Sequence, residues 1–200
     1  MEANVTPVNA EVKKKSSKFG IALATLTGGI GLAISVITIP FITPAFRKIC
    51  LPYVPSTTDQ IKNIILALKG RSGSVLDVGS GDGRIVIAAA KAGFQADGIE
   101  LNPWLVYFSK LSAINHGVSS KTLFLRKNLW KYNLEKYDNI VIFVVTEMIE
   151  DLIAKFQSEL KPNCSIIVCR FPLQNYKPIS TIGEGLDTVW VYKTPLMNNL

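Results

Sequence analysis

The stretch "VLDVGSGDGRIVIAAAK" (75–91) constrains the fold more than any other part of the chain. An apolar run ends in Asp77, glycines alternate at Gly79, Gly81 and Gly83, and a helical pattern follows at once. A strand that passes through a glycine loop into a helix is the opening of a βαβ unit, and so of a parallel sheet. In such sheets a ligand sits at the carboxyl ends of the strands, so the loop marks a binding site. Its charge narrows the ligand. The spacing is G-x-G-x-G rather than the G-x-G-x-x-G of dinucleotide binders, and two carboxylates, Asp77 and Asp82, lie in or beside it. A pyrophosphate a few ångströms away would be repelled by roughly 3 kcal/mol per charge pair at an effective dielectric near ~20. A cofactor with an ammonium, a sulfonium and no phosphate would be attracted. S-adenosylmethionine has that chemistry.

The rest of the chain after Gly70 alternates in the same way. Strand patterns cover 74–79, 96–101, 122–128, 139–145, 165–171 and 188–194, with helical patterns over 84–92, 103–115 and 147–160. "NIVIFVV" (139–145) is apolar without interruption, as a central strand covered on both faces must be. The expectation is a doubly wound, mostly parallel α/β sheet. Before it, Thr57 opens a capping box with Gln60, and Ile61, Ile64, Ile65 and Leu68 recur at helical spacing up to Gly70.

The amino-terminal part is different. From Phe19 to Phe46 there is no Asp, Glu, Lys or Arg. As a helix, Phe19–Ile39 alone would reach roughly 30 Å, the thickness of bilayer hydrocarbon, with Pro40 and Pro44 ending it. The chain thus divides into a basic tail (1–18), a membrane anchor (19–46), a proline-containing linker (47–58) and a folded domain (59–200). Gly20, Ala24 and Gly28 form a small-residue ridge on the span, which suits either helix packing or contact with lipid. The net charge of +7 is spread along the chain, which suits an anionic membrane surface and not a nucleic-acid groove. Cys50, Cys164 and Cys169, with the single His116, make no metal-ligand spacing, so no metal is expected, and the thiols are expected reduced.

Further candidates follow the strands. Glu100, ending the second, can accept both ribose hydroxyls of a nucleoside, and Asn128, after the third, can bond an adenine edge; loop capping competes for both.

"VLDVGSGDGRIVIAAAK", "ELNPW", "NLWKY" and "CRFP…GEGLDTVW" resemble the seven-stranded class I methyltransferases. Within them they are similar to the mitochondrial lysine N-methyltransferases that act on ATP synthase c-subunit and on the ADP/ATP translocase. Residues 40–61, "PFITPAFRKICLPYVPSTTDQI", are most similar to the branch acting on the c-subunit. The resemblance implies a seven-stranded Rossmann-like domain that binds S-adenosylmethionine through Asp77, Gly79, Ser80, Gly81, Asp82, Gly83, Glu100, Leu101, Asn102, Asn128 and Leu129. It further implies a protein-lysine substrate in the inner mitochondrial membrane, with the domain facing the matrix. After the fourth strand the chain reads Thr146-Glu147-Met148 and departs from the family pattern. Glu147 is the candidate for polar contact with the reacting amine, and placement at a helix start competes as its role.

Lysine methylation needs alignment and a neutral amine. Trp104, Trp130, Phe171 and Trp190 are candidates for an apolar pocket, with core packing the competing role; Thr146, Glu184 and Asp187 could add polar contacts. The stretch from Gly70 to Thr194 leaves little chain for a lid, which suits a protein substrate, in a membrane-proximal loop. Two readings compete: a tethered cofactor-binding assembly factor without activity, and an NAD-dependent oxidoreductase. An intact loop opposes the first, and the loop carboxylates oppose the second. The first eighteen residues contain no arginine and two glutamates, unlike a cleaved transit peptide, so targeting is expected to be uncleaved and to include the anchor.

Overall fold

Strands whose side chains alternate between two apolar faces need cover on both sides, and helices connecting parallel strands supply it. The computed structural model describes residues 18–42 and 54–197. Seven strands form one sheet: β1 (Ser74–Val78), β2 (Gln95–Glu100), β3 (Thr122–Arg126), β4 (Asn139–Phe143), β5 (Ser165–Cys169), β6 (Ser180–Ile182) and β7 (Val189–Lys193). Their order is β3-β2-β1-β4-β5-β7-β6. β1 pairs in parallel with β2 and β4, β2 with β3, and β4 with β5. β7 runs antiparallel to β5 and β6. The direction of winding reverses between β1 and β4, which opens a crevice at their carboxyl ends.

Among the described residues there are five α-helices: α1 (Lys18–Ile42), and, accompanying the sheet, α2 (Thr58–Leu68), α3 (Arg84–Lys91), α4 (Pro103–Asn115) and α5 (Ile149–Glu159). Ile64 and Leu68 of α2, Val86 and Ala89 of α3, and Val106 and Ala113 of α4 pack on one face, over Val75, Val141 and Ile167. On the other face Leu152 and Phe156 of α5 cover Ile140, Ile142 and Ile166. The connection from β3 to β4 adds Leu134 and Tyr137 there but forms only a short 3-10 turn, Leu129–Lys131.

The differences from expectation are local. β6 is absent from the strand patterns: three residues at a sheet edge, none of them buried, carry no readable alternation. Thr146–Met148 is a 3-10 turn, so Glu147 precedes α5 instead of opening it. Thr57 caps α2 by accepting from the Gln60 amide at 3.0 Å, but the return half of the capping box is missing. The Gln60 side chain donates instead to the Leu186 carbonyl at 3.1 Å.

α1 is a separate unit from the sheet domain. It continues two residues beyond Pro40, so that proline does not end it. Lys18–Ile39 is long and apolar enough to cross a membrane. The tail and most of the linker lie outside the described residues.

Candidate functional site

β1 delivers Asp77 to the crevice, on the face shared with α2 and α3. The residue is 1% exposed, and its Oδ2 has no hydrogen-bond partner among the described residues. Burial above all, then Glu100 and Asp82, push its carboxyl up to about 8. A buried orphan acceptor beside other acids is costly in any structure and is characteristic of a site built for a cation.

The glycine loop is stitched to β2 by the Gly79 and Ser80 amides, which both donate to the Ile99 carbonyl at 2.9 and 3.0 Å. Gly79, Gly81 and Gly83 all have positive φ. Gly83 is also sterically required, because a Cβ there would lie 2.8 Å from Phe124 and from Ser109. Ser109, buried on α4, donates to the Gly81 carbonyl at 3.1 Å and so holds the loop from behind. Gly83→Ala is therefore expected to cost about 2–4 kcal/mol, from left-handed backbone strain plus overpacking. A urea midpoint lowered with an unchanged slope is the expected reading; an unshifted midpoint would refute the close fit.

The two loop carboxylates prove unequal. Asp82 is engaged by Arg84, whose Nε donates at 2.9 and 3.0 Å, and Arg84 also donates to the Ser56 carbonyl at 2.8 Å. Asp82 is thus matched by its own guanidinium, and Asp77 is the loop carboxyl with an oxygen still open to a cation. Arg84 stands two residues from Asp82, and that adjacency was the available signal for the pair.

Glu100 serves the backbone of its own turn. Its Oε1 accepts from the Leu101 and Asn102 amides at 2.7 and 2.8 Å, and its Oε2 from Gly81 at 3.2 Å. A carboxylate offers about four acceptor positions, so about one remains for a ligand hydroxyl. Asn102 caps α4 by accepting from Trp104 at 3.0 Å, and Leu129 is buried. Asn128 accepts from the Trp130 amide at 3.0 Å, and its Nδ2 has no hydrogen bond among the described residues.

The substrate-side candidates gather along the same edge. Trp104 opens α4 after β2, Trp130 follows β3, Thr146 and Glu147 follow β4, and Phe171 follows β5. β7 is antiparallel, with Val189 opposite Cys169, so Glu184 and Asp187 at its start lie at that edge too. Trp104, Trp130 and Phe171 are exposed and are not core residues. Trp190 does pack against the α5-side core. Glu147, Thr146 and Glu184 are exposed. Asp187 is occupied otherwise: it accepts from the Thr57 hydroxyl at 2.5 Å, and its carbonyl accepts from Asn63 at 2.9 Å, which ties this loop to α2. Arg170, not anticipated, has φ 81 immediately before Phe171. A non-glycine residue in that region costs on the order of 1 kcal/mol and often marks a functional edge.

An orphaned acid for a cation, a carboxylate with a position for a hydroxyl, and glycine backbone at the crevice together fit S-adenosylmethionine. Known proteins agree. A family profile described as ANTKMT methyltransferase domain matches residues 77–180, and the profile of the N-terminal domain of ATP synthase c-subunit lysine N-methyltransferases matches 14–47. The ATP synthase c-subunit lysine N-methyltransferase of Xenopus laevis is 49% identical over 92% of this chain and 82% of its own. The adenine nucleotide translocase lysine N-methyltransferase of Mus musculus is 37% identical over 93% and 84%. Among solved structures, an RNA methyltransferase from Salinibacter ruber in complex with S-adenosyl-L-homocysteine superposes with a TM-score of 0.66 at 26% identity, covering 71% of this chain and 94% of that one.

Proposed function

Because the chain belongs to the family of lysine N-methyltransferases named for ATP synthase c-subunit and adenine nucleotide translocase, we propose that it methylates a lysine of ATP synthase c-subunit at the inner mitochondrial membrane. It is an S-adenosylmethionine-dependent protein-lysine N-methyltransferase. One observation carries the choice of substrate: the profile matching 14–47 is that of the enzymes named for the c-subunit. The adenine nucleotide translocase is the second reading, favoured by the 37% identity to the enzyme named for it.

Bound S-adenosylmethionine supplies a sulfonium methyl, which an amine takes in line as the carbon–sulfur bond breaks. The chain supplies position and charge. Asp77 holds the cofactor's ammonium, Glu100 a ribose hydroxyl, and the Nδ2 of Asn128 the adenine edge. Backbone from Gly79 to Gly83, with Ser80 and Asp82, shapes the cradle, and Leu101, Asn102 and Leu129 shape the adjoining turns. The lysine must arrive neutral, although it titrates near ~10.4 when free. Trp104, Trp130 and Phe171 present apolar surface that disfavours the ammonium once substrate covers them. Glu147 and Glu184, with the hydroxyl of Thr146, steer the side chain as it approaches, and its proton leaves to water at the open rim. Trp190 supports this wall from the sheet.

Radiolabelled S-adenosylmethionine incubated with this protein and mitochondrial membranes lacking the enzyme tests the reading. Label in the c-subunit supports it; label in the translocase alone selects the second reading.

In the same proposal residues 19–46 anchor the chain, 47–58 link, and 59–200 catalyse from the matrix side. α1 has 25 residues and would measure roughly 37 Å, enough to span ~30 Å of hydrocarbon. Full-length protein is expected to remain in the membrane pellet after alkaline carbonate extraction, and protein lacking residues 1–46 to leave it. Release of the full-length protein would refute the anchor. Protease added to mitoplasts is expected to spare the catalytic domain, and its digestion would refute the matrix orientation.

A further inference from the structure

α4 is apolar on two opposite sides. At about 100° per residue, Val106, Ser109 and Ala113 line one side, which is buried against the sheet. Trp104, Tyr107, Phe108, Leu111 and Ile114 occupy an arc of roughly 120° opposite. These five are between 38 and 61% exposed. Surface helices ordinarily turn polar residues outward, and a helix that is apolar all round ordinarily has cover on both sides. Here the outward stripe runs about 15 Å along the helix. It begins at the carboxyl edge of the sheet, beside the candidate site.

Along the chain from α4 to the end of the next strand and turn, the charge has one sign. From Leu101 to Leu134 there is no Asp or Glu, while Lys110, Lys121, Arg126, Lys127 and Lys131 all fall in that stretch. Arg126 donates to the Leu101 carbonyl at 3.2 Å, and the Lys127 amide to the Glu100 carbonyl at 3.1 Å, so both stand at the foot of α4. Indole and phenol rings with aliphatic neighbours, flanked by lysines and arginines, have the composition of a helix lying in the headgroup layer of an anionic bilayer. Chain length points the same way. Residues 43–57 separate α1 from α2, and fifteen residues reach at most about 50 Å in any conformation.

We propose that the outer face of α4 docks on the anionic bilayer surface, with Trp104, Tyr107, Phe108, Leu111 and Ile114 seated among the headgroups. The inference rests on the membrane reading above and deepens it. α1 retains the enzyme; α4 sets which way the catalytic edge faces. Trp104 and Trp130 at that edge then meet a lysine held close to the headgroups.

The test uses the full chain with Cys50→Ser and Phe108→Cys, labelled at position 108 with an environment-sensitive fluorophore; Cys164 and Cys169 are buried. A second chain carries the label through Lys62→Cys instead, an exposed position of α2. Both are reconstituted into phosphatidylcholine vesicles with a minority of cardiolipin, some containing brominated lipid. A blue shift and bromine quenching at position 108, absent at position 62, is the expected result. Adding Lys110→Glu, Lys127→Glu and Lys131→Glu should abolish the shift while the protein still floats with the vesicles through α1. A water-exposed spectrum at position 108 in floated protein overturns the docking and leaves the anchor standing. A blue shift in vesicles without bromine quenching also overturns it, because the face is then covered by this chain or by a second copy.

Discussion

Asp77→Asn is expected to melt at a higher temperature than the wild type without cofactor and to lose binding of S-adenosylmethionine. The two effects have one cause. A free aspartate titrates near ~3.9, and burial pushes this one to about 8. Between those values the native state holds the proton more tightly than the unfolded state, so stability falls as pH rises from about 4 to about 8. The amide removes that loss. Thermal melts at acid and alkaline pH are expected to show the wild type weakening across this window and the variant flat, apart from other groups. Binding runs the opposite way. A cation stabilises the ionised carboxyl, so cofactor affinity in the wild type should climb by up to about tenfold per pH unit below pH 8, and the variant should show neither the affinity nor the slope. Wild-type affinity for S-adenosylhomocysteine in Asp77→Asn, or tighter binding of NAD, would remove Asp77 from the site.

Glu100→Ala is expected to be the more damaging change to the fold of the site. It strips the acceptor from three backbone amides at once, those of Gly81, Leu101 and Asn102. Hydrogen bonds to a charged group contribute roughly 1.5–3 kcal/mol each, and they are not additive. The expected loss in denaturant unfolding is at least about 3 kcal/mol, with cofactor binding reduced beyond calorimetric detection. Glu100→Gln separates the contributions. Its carbonyl can keep the Leu101 and Asn102 bonds, while its NH2 faces the Gly81 amide, donor against donor. It should fall between the wild type and the alanine variant in both measurements. Wild-type stability in Glu100→Ala would mean that water replaces the carboxylate at no cost.

The order and type of most elements were readable because their periods are clear: alternation or continuous apolar runs in β1 to β5, and 3.6-residue spacing in α2. Asp77 stood out in the sequence because a carboxylate in a glycine loop conflicts with phosphate. Other features depend on tertiary contacts that no local pattern encodes. Glu100 works on amides of its own turn, which a sequence presents as neighbours rather than partners. Asp187 is a candidate substrate contact by its position along the chain, yet it meets Thr57 from 130 residues away. The exposure of Trp104, Trp130 and Phe171 could not be read either. In "PWLVYFSKLSAIN" apolar residues surround the helix, so periodicity does not say which side faces the sheet.

The contacts of Ser56 and Thr57 have a consequence for range. Both bond to the rim of the candidate site, Ser56 to Arg84 beside the glycine loop and Thr57 to Asp187 before β7. The leash proposed to run from α1 is thus clipped to the mouth of the domain and not to its back. Its radius of action is then the length of the leash alone, about 50 Å at full stretch. Fastened at the opposite edge, it would have to add a domain diameter, roughly 35 Å. Since searchable volume grows as the cube of radius, that attachment would dilute the reactive edge by about fivefold near its target. In the proposed tethering, two short hydrogen bonds at the start of α2 thereby act on encounter frequency, a property that no inspection of the cofactor cradle would disclose.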